Sequence, residues 1–276
     1  MIYEVINLKI DGYSLDTPAR LECYRLDNRH KEGMNYLRPA VIICPGGGYS
    51  HLSNRESEPI AMRYLAAGFH AFVLKYHVAP VRYPVALLEL ASSVKLLREH
   101  AKEWEIDDSK IIISGFSAGG HLAANLACHW NQEFIAKTLN TTKEQVRPNG
   151  CILGYPVITS GEFAHRGSFE HLLGEDENLW SQVSLETQVT EQTPPVFIWS
   201  TFEDASVPVE NSLLFVSALR KHKVSTEFHM YPHGGHGLAL ANEETQNEKG
   251  NKVFVECQDW IDMAIRWIHK LGGEQC

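Results

Sequence analysis

The chain has 276 residues, 44% hydrophobic and 21% charged, with 25 Lys+Arg against 34 Asp+Glu and a formal net charge of −9. Ordinary glycine and proline usage excludes collagen-like and low-complexity chains. The acidic balance leaves no cationic surplus for nucleic acid or anionic lipid, and no apolar run approaches the roughly 18 residues of a membrane span.

The N-terminal stretch MIYEVINLKIDGYS lacks the basic, apolar and small-residue regions of a secretory signal, so it does not read as a secreted precursor. From Tyr3 to Ile10 and from Leu21 to Leu26 apolar and polar residues alternate, as in a half-buried antiparallel pair. Short continuous apolar runs follow at Ala40 to Cys44, Ala71 to Leu74, Ile111 to Ile113, Cys151 to Leu153 and Val196 to Trp199, with a last strand over Thr226 to Tyr231. Such runs fit parallel strands buried on both faces. Between them, helix-period spacing predicts helices over Glu58 to Leu65, Val85 to Trp104, Gly119 to Trp130, Val209 to Lys221 and Val253 to Leu271. Strands alternating with helices predict an α/β fold with a mostly parallel central sheet, helices on both faces and the antiparallel pair at its N-terminal end.

No repeat, charge block or flexible linker divides the sequence, so residues 1–276 are expected to form one domain. Residues 161–186, rich in His, Glu and Gly, lack strand texture and are expected to lie over the sheet's carboxyl edge as a cap or lid. The six cysteines (Cys23, Cys44, Cys128, Cys151, Cys257, Cys276) are scattered without a C-x-x-C pair, which predicts reduced, mostly buried thiols in a cytoplasmic protein.

The most informative segment is Lys110 to His121. An apolar strand runs directly into Gly115-Phe116-Ser117-Ala118-Gly119 and then into a helix, the G-x-S-x-G nucleophile elbow in its proper context. A serine on so sharp a turn crowds the backbone two positions away on either side, where Gly115 and Gly119 present no Cβ. Gly120 reads as a close helix–strand contact. His121 reads either as facing the site or as a structural histidine behind the elbow.

Acyl transfer also needs backbone donors for a developing oxyanion. Ala118, after the nucleophile, is one candidate. The turn Cys44-Pro45-Gly46-Gly47-Gly48-Tyr49 supplies the other from Gly47 or Gly48, without fixing which N–H points inward. That turn lacks the Gly-Lys-Ser/Thr ending of a phosphate loop and the G-x-G-x-x-G spacing of a dinucleotide site.

A serine hydroxyl becomes a useful nucleophile only when a carboxylate-oriented histidine takes its proton, and in this fold the order is Ser, Asp/Glu, His. Asp204 follows the strand Val196 to Ser200 and is preferred over its neighbour Glu203. In Pro232-His233-Gly234-Gly235-His236-Gly237, His236 at the far end of the turn is preferred over His233. A metal held by His233 and His236 would lack further ligands at zinc spacing, so none is assigned. His165 and His171 are candidate pocket residues within the insertion.

With these pieces in place, the sequence resembles the α/β-hydrolase esterases, in particular bacterial acetyl esterases, acetyl xylan esterases and sugar-ester hydrolases. The likeness spans about Val41 to His236. It is carried by Cys44 to His51, Glu58-Pro59 with Ala61, Phe72 to Pro80, Gly115 to His121, Tyr155-Pro156-Val157, Asp204 with Val207-Pro208, and Gly234 to Gly237. The resemblance implies Ser117 as nucleophile, Asp204 as acid, His236 as base, and an oxyanion hole from the Gly47/Gly48 loop and Ala118. Pro45 stands where many relatives of the wider superfamily have the His of His-Gly-Gly-Gly, which favours the sugar-esterase branch. Glu89 replaces a common Asp and is expected to be structural.

The expected activity is therefore hydrolysis of short-chain acyl esters, acetyl groups on a sugar or small alcohol above all, through an acyl-enzyme and without metal or organic cofactor. An amide hydrolase on the same triad is the first alternative. A lipase and a non-catalytic binding protein are less favoured. The expected partner is a small-molecule ester, with neither nucleic acid nor membrane, and a homo-oligomer is left open.

Overall fold

The computed structural model describes residues 1–28, 34, 36–174 and 176–272. Eight strands form one sheet: β1 (Ile2–Leu8), β2 (Ala19–Arg25), β3 (Arg38–Cys44), β4 (His70–Lys75), β5 (Ile106–Phe116), β6 (Gly150–Gly154), β7 (Val196–Thr201) and β8 (Thr226–Tyr231). Their order is β1-β2-β4-β3-β5-β6-β7-β8. From β4 through β3 to β8 every pairing is parallel, while β2 is antiparallel to both β1 and β4. Sheet and N-terminal pair are thus as the residue pattern predicts.

The apolar runs are continuous because alternate residues of each strand enter two separate cores. Ala40, Ile42 and Cys44 of β3 join one cluster, and Val41 and Ile43 join the other. The first cluster packs against α2 (Val85–Glu99), α3 (Ala118–His129) and α6 (Glu210–Lys221), through residues such as Leu88, Leu122 and Phe215. The second packs against α1 (Glu58–Ala66) and α7 (Trp260–Lys270), where Tyr64 and Trp260 are fully buried. A short α4 (Glu133–Thr138) lies between α3 and β6.

Three element ends differ from the sequence reading by more than three residues. β5 begins at Ile106 rather than Ile111, because Arg38 of β3 already pairs with Ile106 before an irregularity in the register. α2 stops at Glu99 instead of Trp104. Residues 100–104 form a turn, and the apolar spacing persists only because Ala101 and Trp104 reach the core from it, Trp104 stacking on Phe72 at 6.0 Å. The predicted helix over 253–271 is a 3₁₀ turn (Val255–Cys257) followed by α7, whose N-cap Asp259 accepts the Tyr231 hydroxyl at 2.8 Å.

Residues 161–186 contain α5 (Arg166–Leu173) and the 3₁₀ segment Glu177–Val183. Their apolar side chains Phe169, Leu172 and Val183 belong to the first core cluster, and Tyr83 N–H donates to Leu172 O at 2.9 Å. Cys23, Cys44, Cys128, Cys151 and Cys257 are buried and unpaired, whereas Cys276 lies outside the described residues. Among the described residues no helix is long and apolar enough to cross a membrane. Glu89 is fully buried and accepts the His77 N–H and Nδ1 at 2.9 and 2.5 Å, a structural role; burial pushes its carboxyl above the usual range.

Candidate active site

Three chain segments meet at the carboxyl edge of the sheet. β5 ends in Ser117 at the N-terminus of α3, with φ +53° and ψ −120°, a sparsely populated backbone conformation for a residue with a side chain. Hydrogen bonds hold that turn: Ser117 N–H to Gly154 O at 3.0 Å, and Val157 N–H to Ser117 O at 3.1 Å. The glycines around it are sterically required. A Cβ on Gly115 would sit 2.0 Å from Gly119 O, and one on Gly119 would sit 2.1 Å from Cys44 O.

Ser117 Oγ–H donates to His236 Nε2 at 2.7 Å, and His236 Nδ1–H donates to Asp204 Oδ2 at 2.7 Å. The tautomer follows: an ionised carboxylate can only accept, so Nδ1 carries the proton and Nε2 is left as acceptor. Asp204, 4% exposed, is fixed through Oδ1, which accepts Ser206 N–H at 3.0 Å and Val207 N–H at 2.9 Å. The rivals stand apart. Glu203 is exposed and pairs with His233 Nδ1 at 3.1 Å, and that bond holds its carboxyl below the usual range. Neither reaches Ser117.

Ala118 opens α3, so its N–H has no partner within the helix. In the glycine turn the carbonyls fold inward: Ser53 N–H donates to Gly46 O at 2.9 Å and Ser50 N–H to Gly47 O at 3.0 Å. Gly46 N–H is occupied by Glu56 Oε2 at 2.8 Å. Among the described residues the N–H groups of Gly47 and Gly48 have no protein acceptor, and both glycines line the cleft beside Ser117. Gly47 has φ +129°, which a side chain would not adopt without strain.

His121 proves structural. It is fully buried behind the elbow, where Nε2–H donates to Val183 O at 2.8 Å. Its Nδ1 therefore accepts from the Tyr49 hydroxyl at 2.9 Å. Burial lowers its pKa to about 4, so the ring is neutral at physiological pH.

The cleft over Ser117 has a volume of about 340 Å³ and includes Ser50, His51, Arg55, His165, His171 and His236 in its walls. His165 Nδ1 bonds Ser168 Oγ at 2.8 Å, and His171 Nδ1–H donates to Gly48 O at 3.0 Å, seating α5 on the glycine turn. Burial lowers the pKa of His165, with the nearby His236 adding to the effect.

Two further residues bear on the site and carry no signal in the sequence. Glu56 is 2% exposed, and its Oε1 accepts the Tyr155 hydroxyl at 2.7 Å. Arg55 donates to Gly237 O at 2.7 Å, next to His236. Nothing in Asn54-Arg55-Glu56 distinguishes it from an exposed polar turn before a helix. Only the fold, which closes over it, shows that the carboxylate is buried.

Comparison with known proteins agrees with this architecture. The BD-FAE family profile matches residues 26–219. Endo-1,4-beta-xylanase B of Butyrivibrio fibrisolvens is 41% identical over 75% of this chain and 33% of its own length. The acetylxylan esterase of Xylanibacter ruminicola is 31% identical over 93% of this chain and 49% of its own length. The chain thus spans about a third and about half of these two relatives. Among solved structures, the acetyl ester-xyloside bifunctional hydrolase of Caldicellulosiruptor lactoaceticus superposes with a TM-score of 0.84 at 37% identity, covering 98% of this chain and 96% of that one.

Proposed function

The chain belongs to the BD-FAE family, on the α/β-hydrolase fold, and we propose that it is a serine esterase that removes short acyl groups, acetyl above all, from a sugar or another small hydroxylated alcohol. The observation that carries this reading is the unbroken row from Ser117 through His236 to Asp204, with both links at 2.7 Å. In the mechanism, His236 Nε2 takes the Ser117 proton as Oγ attacks the acyl carbonyl. The developing oxyanion is held by N–H groups of Ala118 and of Gly47 or Gly48, with the N-terminus of α3 adding a favourable dipole. Asp204 keeps the imidazole in its reactive tautomer and stabilises the imidazolium. His236 then gives the proton to the departing alcohol. Water repeats the sequence on the acyl-enzyme and releases the acid.

A cleft of about 340 Å³ lies at the small end of ligand pockets, which supports a short acyl group. Its walls carry Ser50, His51, Arg55, His165 and His171, a lining suited to an alcohol with hydroxyls rather than to a lipid tail. The names of the xylan-directed relatives support acetylated xylan fragments as substrates. Residues 161–186, carrying His165 and His171, would act as the cap on the alcohol side.

The test compares wild type with Ser117→Ala on p-nitrophenyl acetate, butyrate and octanoate and on acetylated xylo-oligosaccharide, scoring released acetate. Turnover confined to short chains and lost in the variant supports the reading. Folded wild type without activity on any ester sinks it and moves the search to amides.

A further inference from the structure

We infer that Arg55 and Glu56 are positioning residues that lock the glycine turn to the loop carrying His236, so that oxyanion donors and base keep register as one body. The inference rests on the catalytic reading above and deepens it.

The glycine turn follows β3 and the base loop follows β8, so chain continuity does not align them. The link is made from the 3₁₀ turn Asn54–Glu56 before α1. Glu56 turns one carboxylate oxygen to each side: Oε2 accepts Gly46 N–H at 2.8 Å, and Oε1 accepts the Tyr155 hydroxyl at 2.7 Å. Because that hydroxyl proton goes to Glu56, the Tyr155 oxygen is free to accept Ala239 N–H at 2.9 Å, within the base loop. The Tyr155 ring stands edge-on to the His236 imidazole, with centroids 5.1 Å apart and planes at 73°. Arg55 holds the same loop through Gly237 O at 2.7 Å and Thr245 O at 3.1 Å. The side chains of two consecutive residues thus reach both halves of the machinery.

The chemistry of the choice points the same way. A buried carboxylate is costly wherever a hydrophobic side chain would fill the space. A negative charge beside the oxyanion turn also opposes the charge that develops there. Glu56 touches no reacting atom, and both its oxygens accept hydrogen bonds from the protein. What it contributes is geometry, since a displacement of about 1 Å at a reacting centre can lower turnover roughly a hundredfold.

The experiment measures kcat and KM on p-nitrophenyl acetate, together with amide hydrogen exchange, for wild type, Ser117→Ala, Glu56→Ala, Glu56→Gln and Tyr155→Phe. Glu56→Ala is expected to lose about tenfold to a hundredfold in kcat with KM changed by less than about threefold, as an interaction that acts mainly in the transition state does. Glu56→Gln should recover part of the loss, because its amide oxygen still accepts Gly46 N–H. Exchange in Glu56→Ala should quicken together in peptides covering 46–51 and 236–241 while strand β5 stays protected. In Tyr155→Phe only the base loop should loosen. Should Glu56→Ala not fold, Glu56→Gln and Tyr155→Phe carry the same readouts. Unchanged kcat in the Glu56 variants, with Ser117→Ala inactive, overturns the lock and leaves the esterase reading standing. Inactive wild type overturns the esterase reading, and the exchange data still decide the lock: uncoupled exchange in the two loops refutes it.

Discussion

Placing a single methyl group on Gly115 should disable the catalyst while leaving the sheet intact. The Cβ of Gly115→Ala would lie 2.0 Å from Gly119 O, 2.5 Å from its carbonyl carbon and 2.8 Å from Gly120 N. Every one of these neighbours is backbone of the first turn of α3, so no side chain can swing away. Reaching ordinary contact at 3.4 Å requires the strand end and the helix start to part by about 1.4 Å. Ser117 sits on the turn between them, and its bond to His236 is only 2.7 Å long. A misplacement near 1 Å is worth about a hundredfold in rate, so kcat should fall by at least that factor, and overpacking should lower stability by about 1–3 kcal/mol. The assay is steady-state hydrolysis of p-nitrophenyl acetate, with circular dichroism and thermal unfolding on the same preparation. A folded Gly115→Ala enzyme with kcat within about twofold of wild type would refute the claim that this close approach fixes the nucleophile.

Asp204→Asn should cost about four orders of magnitude in kcat, because the amide favours the wrong imidazole tautomer, whereas Glu203→Gln should stay close to wild type; the reverse order in parallel assays would assign the acid to Glu203. For His121 the folded-state pKa of about 4 lies below an unfolded value near 6.5, so its stabilising contribution is complete above that value and is lost as pH falls toward 4. That shift is worth about 3 kcal/mol, to be read as a urea midpoint that falls more steeply between pH 7 and pH 4.5 in wild type than in His121→Gln, since buried His70, also lowered to about 4, contributes a fall of the same sign; equal slopes would contradict the neutral, doubly bonded ring. His165→Phe should lower the kcat/KM ratio of acetylated xylo-oligosaccharide to p-nitrophenyl acetate by about tenfold, roughly one lost hydrogen bond; an unchanged ratio would remove the cap from alcohol recognition.

The sheet was legible because its central strands, β3 to β7, are buried on both faces and so read as short unbroken apolar runs, while the half-buried N-terminal pair alternates. The elbow was legible because its glycines fall at a fixed spacing around Ser117, although only Gly115 is forced by its immediate neighbours and Gly119 is forced by the backbone of Cys44 and Pro45. The order expected of acid and base along the chain favoured Asp204 and His236 over most other candidates, and the hydrogen bonds behind the proposed triad run from Ser117 to His236 and Asp204, while Glu203 and His233 pair with each other. Other features were hidden for physical reasons. Trp104 keeps the helical spacing of α2 although the helix has already ended, because a large ring reaches the core from a turn. Glu56 and Arg55 look like solvent-exposed charges until Tyr155 and the base loop meet them. His121 could not be assigned from sequence, since its two partners, Tyr49 and Val183, come from distant segments.

The most direct test of the account is covalent trapping with a small alkyl phosphonate ester, followed by peptide mass spectrometry of wild type and His236→Ala. One adduct per chain is expected, localised to Ser117, formed rapidly in wild type and slowed by several orders of magnitude in His236→Ala, in which the Ser117 hydroxyl has lost its proposed base. Labelling at any other residue, or equal labelling rates in the two proteins, would contradict it.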